Sequence, residues 1–159
     1  MKRAWLLIPT ALAAVALAAA TGAPAPGSAK PHKKLIQPAG STALNLPFSP
    51  GLLVGDTLYL SGAIGADATG QLAAGGFEPE MRQAFTNAQA TLKAAGMDYA
   101  DVVSVTVYLA DIKDFPQMNT IYKEYFKAEP LPTRSTVAVK DLVRGAKMEI
   151  TMTAVRANQ

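Results

Sequence analysis

Cysteine is absent from this chain, and histidine occurs once, at position 32. Without cysteine there is no disulfide framework, no thiolate metal ligand and no thiol nucleophile. His32 lies in a stretch rich in Pro, Gly, Ala and Ser and reads as a solvated linker residue. A Ser-His-Asp triad therefore lacks its base. Phosphate-cradling loops are missing too, because Gly75-Gly76 does not open a GxxxxGK[ST] motif. No run of His, Asp or Glu has metal-ligand spacing, and no RNP-type aromatic motif marks an RNA-binding sheet. Any chemistry is expected to be mild, with no metal and no cofactor.

Charge is sparse at 17% of residues, while hydrophobic residues make up 50% of the 159. That balance suits one packed domain and argues against disorder. The formal net charge of +3 is misleading about partners. Met1-Lys2-Arg3 followed by the uncharged run Ala4 to Ala20 reads as a signal peptide, with small-x-small cleavage patterns at Ala18-Ala19-Ala20 and Thr21-Gly22-Ala23. A retained membrane anchor is the competing reading, but the run is short for a span and rich in weakly hydrophobic alanine. Removing residues 1–20 takes Lys2 and Arg3 away and leaves thirteen basic side chains against twelve acidic ones. A nucleic-acid partner is not expected from so even a balance. The expected organisation is a signal peptide over 1–20, a flexible linker over 21–32 and a folded domain over 33–159. The expected location is periplasmic or secreted, without stable membrane association after cleavage.

Within the domain, Leu35-Ile36, Leu52 to Val54 and Thr57 to Ser61 are strand candidates, the last two forming a hairpin across Gly55-Asp56. Gly62 to Gly76 contains five glycines and predicts a loop. Met81, Ala84, Phe85, Ala88, Leu92 and Ala95 form one apolar stripe, which predicts a helix over 80–95 closed by Gly96. Glu78 and Glu80 suit the positive end of its dipole. Val102 to Leu109 alternates strongly and predicts a strand, with Val103, Val105, Val107 and Leu109 on one face. Asp114 is the expected N-cap of a second helix marked by Phe115, Met118, Ile121, Tyr122, Tyr125 and Phe126. Pro130 and Pro132 stop it. Thr133 to Val139 and Lys147 to Val155 complete the strands.

The order β-β-β-α-β-α-β-β predicts an α+β domain, with two helices covering one sheet face. Met148, Ile150, Met152 and Ala154 are assigned to the helix side. Val137 and Val139 are assigned there as well, which puts Arg134, Thr136 and Glu149 on the opposite face. The small residues of that face suit a second subunit. Arg134 has the planar fork that captures a carboxylate. It could equally form a structural ion pair with Glu149. Glu149 could orient a water or be a surface charge.

In order and spacing, VGDTLYLSGAIG (Val54 to Gly65), LKAAGMDYADVVSVTVYLAD (Leu92 to Asp111), MNTIYKEYF (Met118 to Phe126) and LPTRSTVAVK followed by MEITMTAV resemble the Rid family of reactive-intermediate deaminases (RidA/YjgF). The resemblance runs from about Lys33 to Arg156. It implies a chorismate-mutase-like fold with a mixed sheet, assembled as a homotrimer around a central barrel, with small-molecule clefts between subunits. It also implies hydrolysis of enamines and imines such as 2-aminoacrylate to 2-keto acids and ammonia. The family's carboxylate-binding arginine falls on Arg134 and its water-positioning glutamate on Glu149. Its Ser-Gly serine falls on Ser61 and its helix asparagine on Asn119.

The chain departs from the pattern at three places. Phe48 stands where the family has a tyrosine, Thr136 where it has a cysteine, and Ala63 where a glutamine often follows Ser-Gly. Phe48 and Ala63 make the pocket more apolar, which suggests a bulkier or less polar substrate or a weakened deaminase. The expected function is thus an exported imine deaminase acting on a small imino or enamino acid. The alternative is a non-catalytic carboxylate-binding or holdase-like protein. Ribonuclease activity, often attached to the family, is disfavoured by the near-neutral mature charge and the missing histidine.

Overall fold

A computed structural model describes residues 32–39 and 47–156. The expected signal peptide and all of the expected linker except His32 lie outside the described residues. Among the described residues, no helix is long and apolar enough to cross a membrane.

Among the described residues, seven strands and two α-helices follow in chain order. They are β1 (Lys33–Ile36), β2 (Gly51–Val54), β3 (Thr57–Leu60), β4 (Ala63–Ile64), α1 (Phe77–Ala94), β5 (Val102–Leu109), α2 (Phe115–Tyr125), β6 (Thr133–Ala138) and β7 (Met148–Val155). One mixed sheet runs β1-β2-β3-β7-β5-β6, with β4 also paired to β7. All neighbours are antiparallel except β5 and β6, which are parallel. A parallel pair needs a crossover, and α2 supplies it.

The loop expected over 62–76 contains a strand that glycine content concealed. β3 and β4 pair with successive parts of β7: Tyr59 faces Thr153, and Ala63 faces Ile150. They are one strand interrupted at Ser61-Gly62. α1 also begins three residues before the expected start, because Pro79 falls in its first turn, where a missing N–H costs nothing. At its other end Gly96 adopts φ 71°, and Met97 N donates to Leu92 O at 3.0 Å, closing the helix.

The core lies between the helices and one sheet face. Met148, Ile150, Met152 and Ala154 of β7 are buried there with Val105, Val107 and Leu109 of β5. Met81, Phe85 and Leu92 of α1 and Met118 and Ile121 of α2 close it from above. The stripe read from the sequence is thus the contact face of α1. Two details differ. A bulge between Val102 and Ser104 turns Val102 inward and leaves Val103 46% exposed, which breaks the expected alternation. The turn before α2 is capped by Asp111, whose carboxylate accepts from Lys113 N at 2.9 Å, while Asp114 makes no side-chain cap bond.

Candidate active site

The sheet register decides where the candidate residues stand. Arg134 of β6 is opposite Val105, and Thr136 is opposite Val107. Val105 and Val107 are core residues, so Arg134 and Thr136 lie on the helix side of the sheet. Val137 takes the other face and is 45% exposed. The expectation that Arg134 points away from the helices is therefore reversed. β6 is an edge strand at the margin of the helix layer, so a long amphipathic side chain can lie over the core's edge with its charge outward. Alternation fixes the two rows of a strand but not which row faces in, and an edge strand with one buried margin gives a weak signal.

Helix α2 holds the Arg134 guanidinium. Its Nη2 donates to Asn119 Oδ1 at 2.7 Å, and its Nη1 lies 3.8 Å from Met118 Sδ. The group sits 4.5 Å above the Tyr122 ring and 5.9 Å from the Phe115 ring, a stacking geometry that suits arginine. Burial pushes the Tyr122 hydroxyl up to about 12, with the Arg134 charge opposing. The hydroxyls of Tyr122 and Thr136 are both buried without a hydrogen-bond partner among the described residues. No carboxylate pairs with Arg134 there either, since the ion pairs found are those of Arg82 with Glu78 and Glu124. Within one copy, Arg134 and Glu149 form no ion pair.

Glu149 stands on the opposite face, across from Tyr108 of β5 and Ile64 of β4. The interruption at Ser61-Gly62 creates its seat. Thr151 Oγ1 donates to Leu60 O at 2.8 Å, and Ser61 N donates to Pro50 O at 3.0 Å, so the chain leaves the ladder there. A Cβ on Gly62 would land on Glu149 Oε1, so only glycine lets the carboxylate lie over this backbone. The Ser61 hydroxyl donates to Ser49 O at 2.7 Å, leaving its oxygen free to accept.

These groups open onto a cleft of about 740 Å³ lined by Glu149, Ser61, Gly62, Ala63, Phe48 and Arg144 among others. Three of the six residues picked from the sequence, Phe48, Ser61 and Glu149, are together here. The other three, Arg134, Asn119 and Thr136, are together beside α2 and do not line this cleft. A smaller cavity of about 280 Å³, lined by Asp98, Tyr99, Tyr125 and Lys127, holds none of the six. The sequence reading missed Gly62, Tyr122 and Arg144. Gly62 was hidden among other glycines, Tyr122 was absorbed into the helix stripe, and Arg144 lies in a segment without periodicity. Among the described residues no group of three His, Cys, Asp or Glu could hold a metal ion.

Chemically, one half offers a carboxylate that can accept a proton from water, beside a hydroxyl oxygen. The other offers a guanidinium with two N–H groups engaged and the rest of its fork unused.

Known proteins resemble this chain in sequence and fold. A 2-iminobutanoate/2-iminopropanoate deaminase of Bos taurus is 44% identical over 125 residues, covering 78% of this chain and 90% of that one. The human protein of the same name is 42% identical over the same shares. Among solved structures, a Rid-family protein of unknown function from Yersinia pestis has a TM-score of 0.73 at 33% identity, covering 79% of this chain and all of that one. RidA from a Psychrobacter species has a TM-score of 0.72 at 34% identity, covering 77% and 99%. A sequence model of the family described as Endoribonuclease L-PSP matches residues 40–156. With that span and those relatives, the chain belongs to the Endoribonuclease L-PSP family, the Rid proteins that its motifs resemble.

Proposed function

We propose that this protein is an exported imine deaminase whose active site is assembled from two subunits. The deaminase names of its relatives support the reaction class. The observation that carries the site is the separation of Arg134 from Glu149 on opposite faces of one sheet. Arg134 and Asn119 of one copy would meet Glu149 and Ser61 of another. Exposed Tyr59, Val137 and Val155 lie on the face away from the helices and favour a neighbour there. The homotrimer implied by the family supplies that contact.

In this arrangement Arg134 holds the substrate carboxylate by charge-assisted hydrogen bonds. Thr136 stands two residues along the same row and lines the same end. Glu149 takes a proton from a water as its oxygen attacks the imine carbon. The C=N π bond opens, and Glu149 returns that proton to nitrogen, giving a carbinolamine. Its hydroxyl proton then passes through Glu149 to nitrogen, the carbon–nitrogen bond breaks, ammonia leaves and the carbonyl of the keto acid forms. Holding water and imine in register is the main contribution asked of the protein. Phe48 contributes an apolar wall without a hydroxyl. Export rests on the basic, apolar and small-residue pattern of Met1 to Ala23.

The test is ammonia release from imino acids generated in situ by an amino-acid oxidase. Arg134→Ala should lower kcat/KM about 100-fold, the scale of two charge-assisted hydrogen bonds at roughly 1.5 kcal/mol each. Unchanged activity in that variant would exclude the site. Carboxylate binding without turnover by the unaltered protein would favour a binding protein instead, a reading for which Phe48 and Thr136 are the relevant departures.

A further inference from the structure

Arg144 lines the same cleft as Glu149 and has no part in the reaction above. Its backbone adopts φ 61°, a left-handed conformation that side chains other than glycine rarely take. Such an outlier needs its surroundings to hold it. Gly70 does so from across the cleft's rim. A Cβ there would stand 3.0 Å from Nη1, 3.1 Å from Cζ and 3.2 Å from Nη2, so the guanidinium lies flat against the glycine backbone. Nη1 donates to Gly70 O at 3.2 Å. Among the described residues that is its one hydrogen bond, and no carboxylate pairs with it. A carbonyl occupies one donor of five and leaves the charge uncompensated.

The other charges lining the cleft sharpen the point. They are Glu149 and Asp67. Asp67 is committed to its own turn: one oxygen accepts from the Thr69 hydroxyl at 2.7 Å, Thr69 N at 2.8 Å and Gln71 N at 3.0 Å. Those bonds hold its carboxyl below the usual carboxylate range. A second anionic group entering this cleft has Arg144 as the one cation to pair with among the described residues of the lining. The volume of about 740 Å³ lies in the range that houses drug-sized ligands, and a four-carbon imino acid would leave most of it empty.

We propose that Arg144 is a specificity-determining residue that binds a terminal carboxylate on the substrate side chain, so that the cleft selects dicarboxylic 2-imino acids. This rests on the deaminase reading for turnover but not for binding, and the two can be separated.

The first measurement is ammonia release from 2-iminoglutarate and from 2-iminobutanoate, each generated in situ by an amino-acid oxidase. The unaltered protein should have the higher kcat/KM for 2-iminoglutarate. Arg144→Gly, which suits the left-handed backbone and so preserves the turn, should lower the ratio of the two kcat/KM values about tenfold, mostly through KM. Arg144→Lys should retain part of the preference. The second measurement is calorimetric binding of 2-oxoglutarate and 2-oxobutanoate to the same proteins. Arg144-dependent preference for 2-oxoglutarate without turnover of either imino acid would sink the deaminase reading and support this one. A ratio unchanged in Arg144→Gly, or no preference in the unaltered protein, would overturn the proposal and leave Arg144 as a latch between two loops.

Discussion

Arg134 and Glu149 stand on opposite faces of one sheet, Arg134 beside core residue Val105 and Glu149 beside Tyr108 on the uncovered face. A single copy therefore does not present both to one small molecule through the Glu149 cleft. If the two act together, each must come from a different copy. Arg134→Ala and Glu149→Gln proteins should each be nearly inactive alone. Mixed oligomers formed by refolding or co-expressing them should regain activity, because some interfaces then carry both native residues. No recovery, with mixed oligomers demonstrated by mass, would refute the shared site.

Gly62 separates seating of the carboxylate from folding. In Gly62→Ala the new methyl group meets the movable end of Glu149 rather than backbone. Glu149 should swing away at little cost in stability. The expected result is a Tm within a few degrees of the unaltered protein and a kcat lowered about 100-fold, the scale of a lost general base. A large drop in Tm with kcat preserved would contradict the placement of Glu149.

Tyr122 gives the protein an alkaline limit. Its folded-state pKa of about 12 exceeds the ordinary 10.0. Between those values the unfolded chain releases the proton and the folded chain keeps it. Stability from this group is complete below pH 10 and is lost as pH rises toward 12. Burial pushes Tyr99 in the same direction. Urea unfolding followed from pH 8 to 11.5 should show a fall in stability that is shallower in Tyr122→Phe. At pH 7 that variant should be no less stable, since it removes a buried hydroxyl without a partner. Identical pH slopes for the two proteins would refute the assignment.

Glu80 is buried, and its carboxylate accepts from Lys147 N at 2.5 Å and Met148 N at 3.4 Å. It fastens the start of α1 to the start of β7, the strand that carries Glu149. Glu80→Ala leaves those N–H groups without their acceptor, at about 1–3 kcal/mol. A fall in Tm of roughly 3–15 °C follows for a domain of this size, measured by calorimetry. A change below 1 °C would show that water replaces the carboxylate without loss.

By itself the sequence determined the family and every strand and α-helix except β4. Apolar period fixed the inner face of α1, because Met81, Phe85 and Leu92 recur at the helical repeat. In β7 the inner row was legible because Met148, Ile150, Met152 and Ala154 are all apolar while the alternate row is largely polar. The motif around Arg134 and the motif around Glu149 were both legible as chemistry. Only tertiary structure decided how they relate. The inward row of edge strand β6 depends on pairing with β5, and pairing is a long-range property that local alternation does not encode. β4 was hidden because its stability comes from β7 rather than from its own glycine-flanked residues. Arg144 gained its place in the cleft through a contact with Gly70, 74 positions away, and contacts at that separation are set by the packed core rather than by neighbours in the chain.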